Sequence, residues 1–118
     1  MTARLNYVEL PVRDTAGTKA FFEKTFGWSL TAFGPDYAAT IGAGAGGTAD
    51  IGLNGDPDEA TAALIAVIEV DDLEAGLASV EAAGGVIIRP IFAFPGGRRF
   101  HFREPSGNEL AVYVNGPD

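Results

Sequence analysis

The sequence has 118 residues, of which 47% are hydrophobic and 20% are charged, so it predicts a globular domain rather than a disordered chain. Its net charge of −8, with only 8 lysines and arginines, argues against nucleic acid and anionic membranes as partners, because both are bound through clustered cations. The absence of cysteine excludes disulfides and thiolate metal sites. No apolar run approaches the ~18 residues of a membrane span, and the first residues lack a signal-peptide pattern, so we expect a cytoplasmic protein.

The first half of the chain predicts a strand, a helix and three further strands. Residues 4–12 alternate between apolar and polar side chains, as a half-buried strand does. Asp14 or Thr15 can cap the helix that follows, and Gly27 can end it in a left-handed conformation. The later strands are predicted at residues 28–33, 37–41 and 50–54.

A glycine-rich segment at residues 42–47, GAGAGG, formally contains the G-x-G-x-x-G pattern of dinucleotide-binding loops. Such a loop must open a helix whose N-terminus holds the pyrophosphate, whereas the residues after this segment predict a strand. We therefore interpret it as a hairpin loop that could also act as a flexible lid.

The same order of elements starts again in the second half. Residues 63–70 predict a buried strand, Asp72 a cap, and the next residues a helix with Leu73, Leu77 and Val80 on one stripe. Further strands are predicted at residues 86–94, 98–104 and 109–114. A shift of 58 residues superimposes the strand, cap and terminal glycine of the two halves, as Leu10 on Ile68, Asp14 on Asp72 and Gly27 on Gly85.

This internal repeat predicts an α+β fold in a single domain, residues 1–118. The domain would consist of two βαβββ units, at about 4–56 and 62–115, related by a pseudo-twofold axis. Each helix is expected on the outer face of its sheet. The inner faces are expected to form a curved sheet around a cleft, which could hold a small ligand.

Several segments together resemble the vicinal oxygen chelate superfamily, also called the glyoxalase/bleomycin resistance/dioxygenase family. Each segment alone has low specificity, but their order and spacing extend over nearly the whole chain. The segments are YVELPVRD at residues 7–14, FFEKTFGW at 21–28, VDDLEA at 70–75, AGG at 83–85 and FREPSGNEL at 102–110. The resemblance implies the fold described above and a homodimer, which many short family members form.

The resemblance also implies where a divalent metal would be bound. Metal-dependent members carry a ligand five residues before the valine of the Val-x-Asp motif, which matches Tyr7, with Ile65 as its counterpart in the second half. A further ligand, usually glutamate, matches Ala111, and the 58-residue shift places its counterpart at Leu53. Aliphatic side chains offer no lone pair to a divalent cation. We therefore expect no metal site and no other cofactor.

A relocated metal site is an alternative. Glu9, Glu69 and Glu109 lie on the same strand faces as the vacated positions and could supply carboxylates. The 58-residue shift pairs them with unrelated side chains, namely Val67, Pro11 and Ile51. We favour the interpretation that these glutamates are solvated residues near strand ends.

His101 is the only histidine, and Arg99 and Arg103 share its face of a predicted strand. This stripe could hold an anionic group, or His101 could act as a general acid or base. We favour an exposed edge strand that carries polar side chains. Six aromatic residues lie near predicted inward faces or strand ends and could line a pocket for a flat organic molecule, an ordinary core or a dimer interface: Tyr7, Trp28, Tyr37, Phe92, Phe94 and Tyr113. Pocket lining is favoured most for Tyr7 and Tyr113, because the resemblance places them beside the vacated metal positions.

We predict that the protein binds a small organic molecule without a metal, as the drug-resistance members of the family do. The predicted pocket residues are Tyr7, Glu9, Leu53, Ile65, Val67, His101, Ala111 and Tyr113. The acidic surface favours a cationic ligand. One alternative is a glyoxalase-like lyase/isomerase, epimerase or dioxygenase-type enzyme with a relocated metal or a metal-free acid/base site. Another is a non-catalytic accessory module. No catalytic residue is assigned.

Overall fold

The computed structural model describes residues 1–40, 50–94 and 96–116, so the predicted glycine-rich loop at 42–47 lies outside the described residues. Within the described residues, the βαβββ order occurs twice along the chain, which confirms the predicted α+β fold class. The elements are β1 (Ala3–Pro11), α1 (Thr15–Phe26), β2 (Thr31–Ala32), β3 (Tyr37–Ala39), β4 (Ile51–Asn54), β5 (Ile65–Val70), α2 (Leu73–Ala82), β6 (Val86–Phe94), β7 (Gly97–Arg103) and β8 (Glu109–Asn115).

The chain divides into two compact units. Unit 1 comprises Met1–Asn6 and the chain from Ala66 onwards, and unit 2 comprises Tyr7–Ile65. The predicted repeat instead assigned residues 4–6 to the first half. Polar contacts tie these N-terminal residues to unit 1, because Thr2 Oγ1 donates a hydrogen bond to Asp71 Oδ2 at 2.6 Å and Arg4 forms an ion pair with Glu69 at 2.6 Å.

In unit 1, the first residues of β1 are followed across the sheet by β5, β8, β7 and β6. Strands β5 and β8 are parallel, whereas β7 is antiparallel to both β8 and β6. One face of this sheet packs against α2. The hydrophobic core on that face consists of Val70, Leu73, Phe100, Phe102 and Val112, with Leu77 and Val80 packed against it. The predicted apolar stripe of the second helix is therefore confirmed.

In unit 2, the order of strands is β2-β3-β4-β1. Strands β1 and β4 are parallel, and β3 is antiparallel to both β4 and β2. The core of this unit contains Leu30, Ala38 and Leu53, and Phe22 of α1 packs against it. Each unit thus covers one face of its sheet with one helix.

Both helices begin at the predicted aspartates. Asp14 Oδ1 accepts a hydrogen bond from the Gly17 amide, and Asp72 Oδ1 accepts one from the Ala75 amide, each at 3.0 Å. Helix α1 ends at Gly27, whose φ of 70° is the left-handed conformation expected of a terminal glycine. Neither of these helices is long and apolar enough to cross a membrane.

The strand predicted at residues 28–33 is much shorter, because only Thr31–Ala32 pair with β3. The residues before it follow α1 instead of the sheet. The Trp28 ring stacks on Phe22 with a centroid distance of 5.2 Å, and the Leu30 amide donates to Glu23 Oε2 at 3.1 Å. These contacts to the helix take the place of a strand ladder.

Candidate functional site

The unit 1 sheet carries polar side chains on the face opposite α2. Strand pairing aligns four residues in one row across β5, β8, β7 and β6: Val67, Ala111, His101 and Arg89. A neighbouring row contains Glu69, Tyr113, Arg99 and Phe92. We call these eight residues, together with Glu109 and Phe94 on the same face, the polar face of unit 1. Four predicted pocket residues lie in it, namely Val67, His101, Ala111 and Tyr113.

The interpretation of Arg99 and His101 as residues of an exposed edge strand is wrong. Strand β7 pairs with β6 on one side and with β8 on the other. Arg99 is 2% exposed and His101 is 1% exposed, whereas Arg103 on the same face is exposed. The alternation with Phe100 located the core face correctly, but alternation alone does not show whether the polar face meets water.

His101 is held between a cation and an anion. Arg99 donates to His101 Nε2 from its Nε at 3.1 Å and from its Nη2 at 2.9 Å, while His101 Nδ1 lies 2.8 Å from Glu109 Oε2. A guanidinium can only donate, so Nε2 is the acceptor and the proton of the neutral ring sits on Nδ1. Nδ1 therefore donates to the Glu109 carboxylate, and this pair fixes the tautomer.

These neighbours keep the His101 ring neutral near pH 7. Burial lowers the pKa of His101 most, and the positive charges of Arg99 and Arg89 lower it further, while the hydrogen bond and charge of Glu109 act in the opposite direction. A second proton would have to sit on Nε2, which faces the guanidinium of Arg99. Geometry and electrostatics thus assign the same protonation state.

Two aromatic rings of the polar face lie beside Arg99. The Cζ atom of Arg99 lies 5.9 Å from the ring centroid of Phe92 and 5.2 Å from that of Phe94, which are cation–π distances. The rings of Phe94 and Tyr113 are in edge contact at 5.8 Å. The Tyr113 hydroxyl accepts a hydrogen bond from Asn6 Nδ2, and burial raises the pKa of Tyr113.

Unit 2 contains a second buried polar cluster. Glu9 is 1% exposed, and its Oε2 accepts a hydrogen bond from the Tyr37 hydroxyl at 2.8 Å. The Tyr37 oxygen lies 3.2 Å from the Tyr7 hydroxyl, which must donate because Tyr37 has already given its only proton to Glu9. Burial raises the pKa of Tyr37, and neighbouring Tyr7 and Glu9 add to the effect. The interpretation of Glu9 as a solvated residue is wrong.

The register predicted for β4 is displaced by one residue. Leu53 lies in the hydrophobic core of unit 2 and not with Glu9, because Glu9 pairs with Gly52. In unit 1 the corresponding pair is Val67 with Ala111, so the counterpart of Ala111 is Gly52. A Cβ atom on Gly52 would lie 2.6 Å from the Tyr37 hydroxyl, which shows that this hydroxyl fills the space beside the glycine.

The four positions that match the family's metal ligands therefore carry Tyr7, Gly52, Ile65 and Ala111. Ile65, the first residue of β5, is 4% exposed, and Ala111 is fully buried. This set contains one phenol oxygen and neither a carboxylate nor an imidazole, so its donors do not suit a divalent cation.

The carboxylates considered for a relocated site have partners in the protein. Glu69 pairs with Arg4, Glu109 bonds to His101, and Glu9 bonds to Tyr37. Among the described residues, no group of three or more histidine, cysteine, aspartate or glutamate side chains is placed to hold a metal ion.

The predicted pocket omitted several residues of these two clusters. Arg99 stood in the same alternation as His101, so the sequence contained its signal. Tyr37 was noted only as an aromatic residue near a predicted inward face, and Gly52 showed no pattern, because their contact depends on which strand lies beside β4. Phe92 and Phe94 come together with Arg99 through the irregular register between β6 and β7, which the sequence does not encode in a recognisable way.

Removing the Tyr37 hydroxyl should destabilise the fold, because it leaves a buried oxygen of Glu9 with one hydrogen bond fewer. We expect Tyr37→Phe to lower the free energy of unfolding by about 1.5–3 kcal/mol in urea titrations. In a Glu9→Gln background the same change should cost less, since the acceptor is then uncharged. Equal losses in both backgrounds would contradict the described contact.

The protonation of His101 can be followed directly, because a single histidine gives a single imidazole signal in NMR spectra. We expect a pKa below the ordinary ~6.5, a lower pKa in Glu109→Gln and a higher one in Arg99→Gln. Since the unfolded chain takes up this proton at higher pH, the contribution of His101 to stability is complete above about pH 6.5 and declines as the pH falls toward the folded pKa. A ring that titrates above 6.5 would refute this assignment.

Solved structures share this fold at low sequence identity. The NAD-dependent benzaldehyde dehydrogenase structure from Legionella pneumophila has a TM-score of 0.74 and 16% identity, over 94% of this chain and 99% of that chain. A methylmalonyl-CoA epimerase from Streptomyces coelicolor, in complex with 2-nitronate-propionyl-CoA, has a TM-score of 0.71 and 14% identity, over 97% and 98%. The epimerase from Mycobacterium tuberculosis has a TM-score of 0.68 and 12% identity, over 96% and 88%. At these identities the likeness concerns the fold alone.

The sequence itself also matches a family. No curated protein matches this sequence. The model of the Glyoxalase/Bleomycin resistance protein/Dioxygenase superfamily matches residues 4–112, which is most of the chain. The predicted resemblance is thereby confirmed, and the chain belongs to the Glyoxalase/Bleomycin resistance protein/Dioxygenase superfamily.

Proposed function

We propose that this protein binds a small organic molecule and does so without the metal of its family. The observation that carries the proposal is the residue set at the family's metal-ligand positions, Tyr7, Gly52, Ile65 and Ala111. Three of these four residues have no side-chain donor atom, and the hydroxyl of Tyr37 occupies the space beside the glycine. Chelation of a substrate on a divalent metal has no basis in such a set.

The ligand would contact the polar face of unit 1. This face combines the buried apolar side chains of Val67 and Ala111 with the rings of Phe92 and Phe94 and with the charged group of Arg99. Few polar groups among apolar and aromatic walls are typical of small-molecule sites. Because these side chains are largely withdrawn from water, electrostatic contacts with a ligand gain strength.

Metal analysis and a thermal-shift screen test this proposal together. We expect the purified protein to contain no stoichiometric metal, and EDTA to leave both its unfolding temperature and any ligand shift unchanged. Stoichiometric Zn, Ni, Mn or Fe that is removed together with ligand binding would contradict the proposal.

A pair of matched variants locates the ligand. Ala111→Leu adds volume at a fully buried position of the polar face and should reduce the ligand-induced shift. Ala63→Leu makes the same change at an exposed position and should leave the shift unchanged. The unfolding temperature of each free variant separates lost binding from lost folding.

A metal-free enzyme is the second candidate, and the contact between His101 and Glu109 favours it. A carboxylate that orients an imidazole is the usual support of a general base. This candidate would prevail over simple binding if a ligand from the screen exchanged a C–H proton with D₂O in the presence of EDTA, and if His101→Gln abolished the exchange.

We also propose that the protein is a homodimer. Large apolar side chains are exposed on α1 and just after it: Phe21 and Phe26 are each 58% exposed, and Trp28 is 42% exposed. A contiguous exposed aromatic surface is a common feature of protein interfaces. Sedimentation velocity at micromolar concentration should show a dimer, and a monomer there would contradict the proposal.

A cytoplasmic location stays a prediction.

A further inference from the structure

Arg99 presents two N–H groups to a single acceptor. Its Nε and Nη2 atoms lie 3.1 and 2.9 Å from His101 Nε2. The imidazole nitrogen has one lone pair in the plane of the ring, so the two donors share it. At His101, the Nε and Nη2 donors of Arg99 thus meet one lone pair, whereas a carboxylate would offer an oxygen to each.

A carboxylate matches the same edge better. Its two oxygens are spaced to accept one hydrogen bond each from Nε and Nη2, and a carboxylate also brings a negative charge to the cationic guanidinium, which a neutral imidazole does not. The imidazole of His101 is neutral, so exchanging it for a carboxylate also replaces a neutral acceptor with an anion. A ligand carboxylate in place of His101 therefore gives Arg99 an acceptor that fits its two donors better and carries the opposite charge.

The surroundings of Arg99 restrict what kind of carboxylate fits. Phe92 and Phe94 lie beside the guanidinium, and the ring of Tyr113 contacts Phe94 at its edge. Val67 and Ala111, both fully buried, are the apolar side chains in the neighbouring row of the same sheet face. A ligand whose carboxylate meets Arg99 is thus bordered by aromatic and aliphatic groups, which suit an apolar or aromatic body.

We propose that the polar face of unit 1 is a site for aromatic or apolar carboxylates, in which the ligand's carboxylate takes the Nε/Nη2 edge of Arg99 from His101. This inference rests on the proposed function and specifies its ligand class. It differs from the expectation of a cationic ligand, which followed from the acidic surface alone.

The exchange has a consequence for the histidine. Glu109 on β8 keeps the proton on Nδ1, so the nitrogen that Arg99 releases is Nε2 with its lone pair. Arg89 on β6, Arg99 on β7 and Glu109 on β8 are the charged groups that act on the ring. With Arg99 neutralised by the ligand, Nε2 accepts a proton or hydrogen bond more readily. Ligand binding thereby converts His101 from an acceptor for Arg99 into an acceptor for the ligand's own donor or for solvent.

A comparison of isosteric probes tests this site in the wild-type protein. Benzoate and benzamide have nearly the same shape, but only benzoate carries a charge. In EDTA-containing buffer, we expect benzoate to shift the single imidazole NMR signal and to raise the apparent pKa of His101, whereas benzamide at equal concentration leaves both unchanged. Equal effects of the two probes, or no effect of benzoate, would overturn the proposal.

Variants of Arg99 test the same site in a second experiment. Arg99→Gln should weaken benzoate binding at least ~10-fold, and Arg99→Lys should also weaken it, because an ammonium keeps the charge but lacks the planar fork. Arg103→Gln is the matched control: it removes an exposed arginine from the same face of β7 and should bind benzoate as the wild type does. Wild-type affinity in both Arg99 variants would overturn the proposal.

The outcomes for this site and for the proposed function are separable. If a neutral molecule from the thermal screen binds at Ala111 and benzoate does not, metal-free binding stands and the carboxylate site is refuted. If benzoate binds through Arg99 in EDTA but the protein as purified holds a stoichiometric metal that its activity requires, the carboxylate site stands and the proposed function is refuted.

Discussion

The hydrogen bonds that hold the His101 ring are the interaction on which the polar face of unit 1 depends. A buried guanidinium and a buried imidazole each cost considerable free energy unless they find partners. Arg99 meets part of this need by donating to His101 Nε2, and His101 Nδ1 donates a hydrogen bond to the Glu109 carboxylate. The carboxylate is only half-buried, so it links the interior of the face to solvent. Removing any one of the three leaves another polar group unsatisfied, which is why we regard them as one element rather than three separate candidates.

Unit 2 also buries polar side chains on its sheet, but their hydrogen-bond partners are of a different kind. Its buried carboxylate, Glu9, accepts a hydrogen bond from the Tyr37 hydroxyl, to which the Tyr7 hydroxyl donates in turn. Gly52 makes this arrangement possible, since any side chain there would collide with the Tyr37 hydroxyl. The two repeats therefore keep the strand order of a common fold but carry unlike side chains at equivalent places. The equivalent pairs Tyr7 and Ile65, and Gly52 and Ala111, supply neither the imidazole nor the carboxylate donors that a divalent metal needs.

Much of the fold could be predicted because local signals agree with the tertiary structure. The caps at Asp14 and Asp72, the terminal glycine of α1 and the period of two in the strands all describe short-range chemistry. The predictions that were wrong concern contacts between residues that are not neighbours in the sequence. Trp28 fits a strand by propensity but stacks on a helix, and Leu53 was misplaced because the repeat shift is 59 residues on β4 rather than 58, as the Glu9–Gly52 and Val67–Ala111 pairs show. The burial of Arg99 was missed for a related reason: polarity predicts exposure only when no partner compensates the charge.

The proposed carboxylate ligand illustrates how one local charge can outweigh the overall charge of the protein. The net charge of −8 is spread mainly over exposed side chains, whose fields are screened within about 8–10 Å at physiological ionic strength. Arg99 is buried, so its field acts on a bound ligand with little screening. The two effects act at different stages: the acidic surface slows the approach of an anion, whereas the buried guanidinium slows its departure once bound. A carboxylate should therefore associate slowly with this acidic protein but also dissociate slowly. Raising the ionic strength should increase the association rate constant more than it increases the dissociation rate constant, because salt screens the exposed charges more than the buried one.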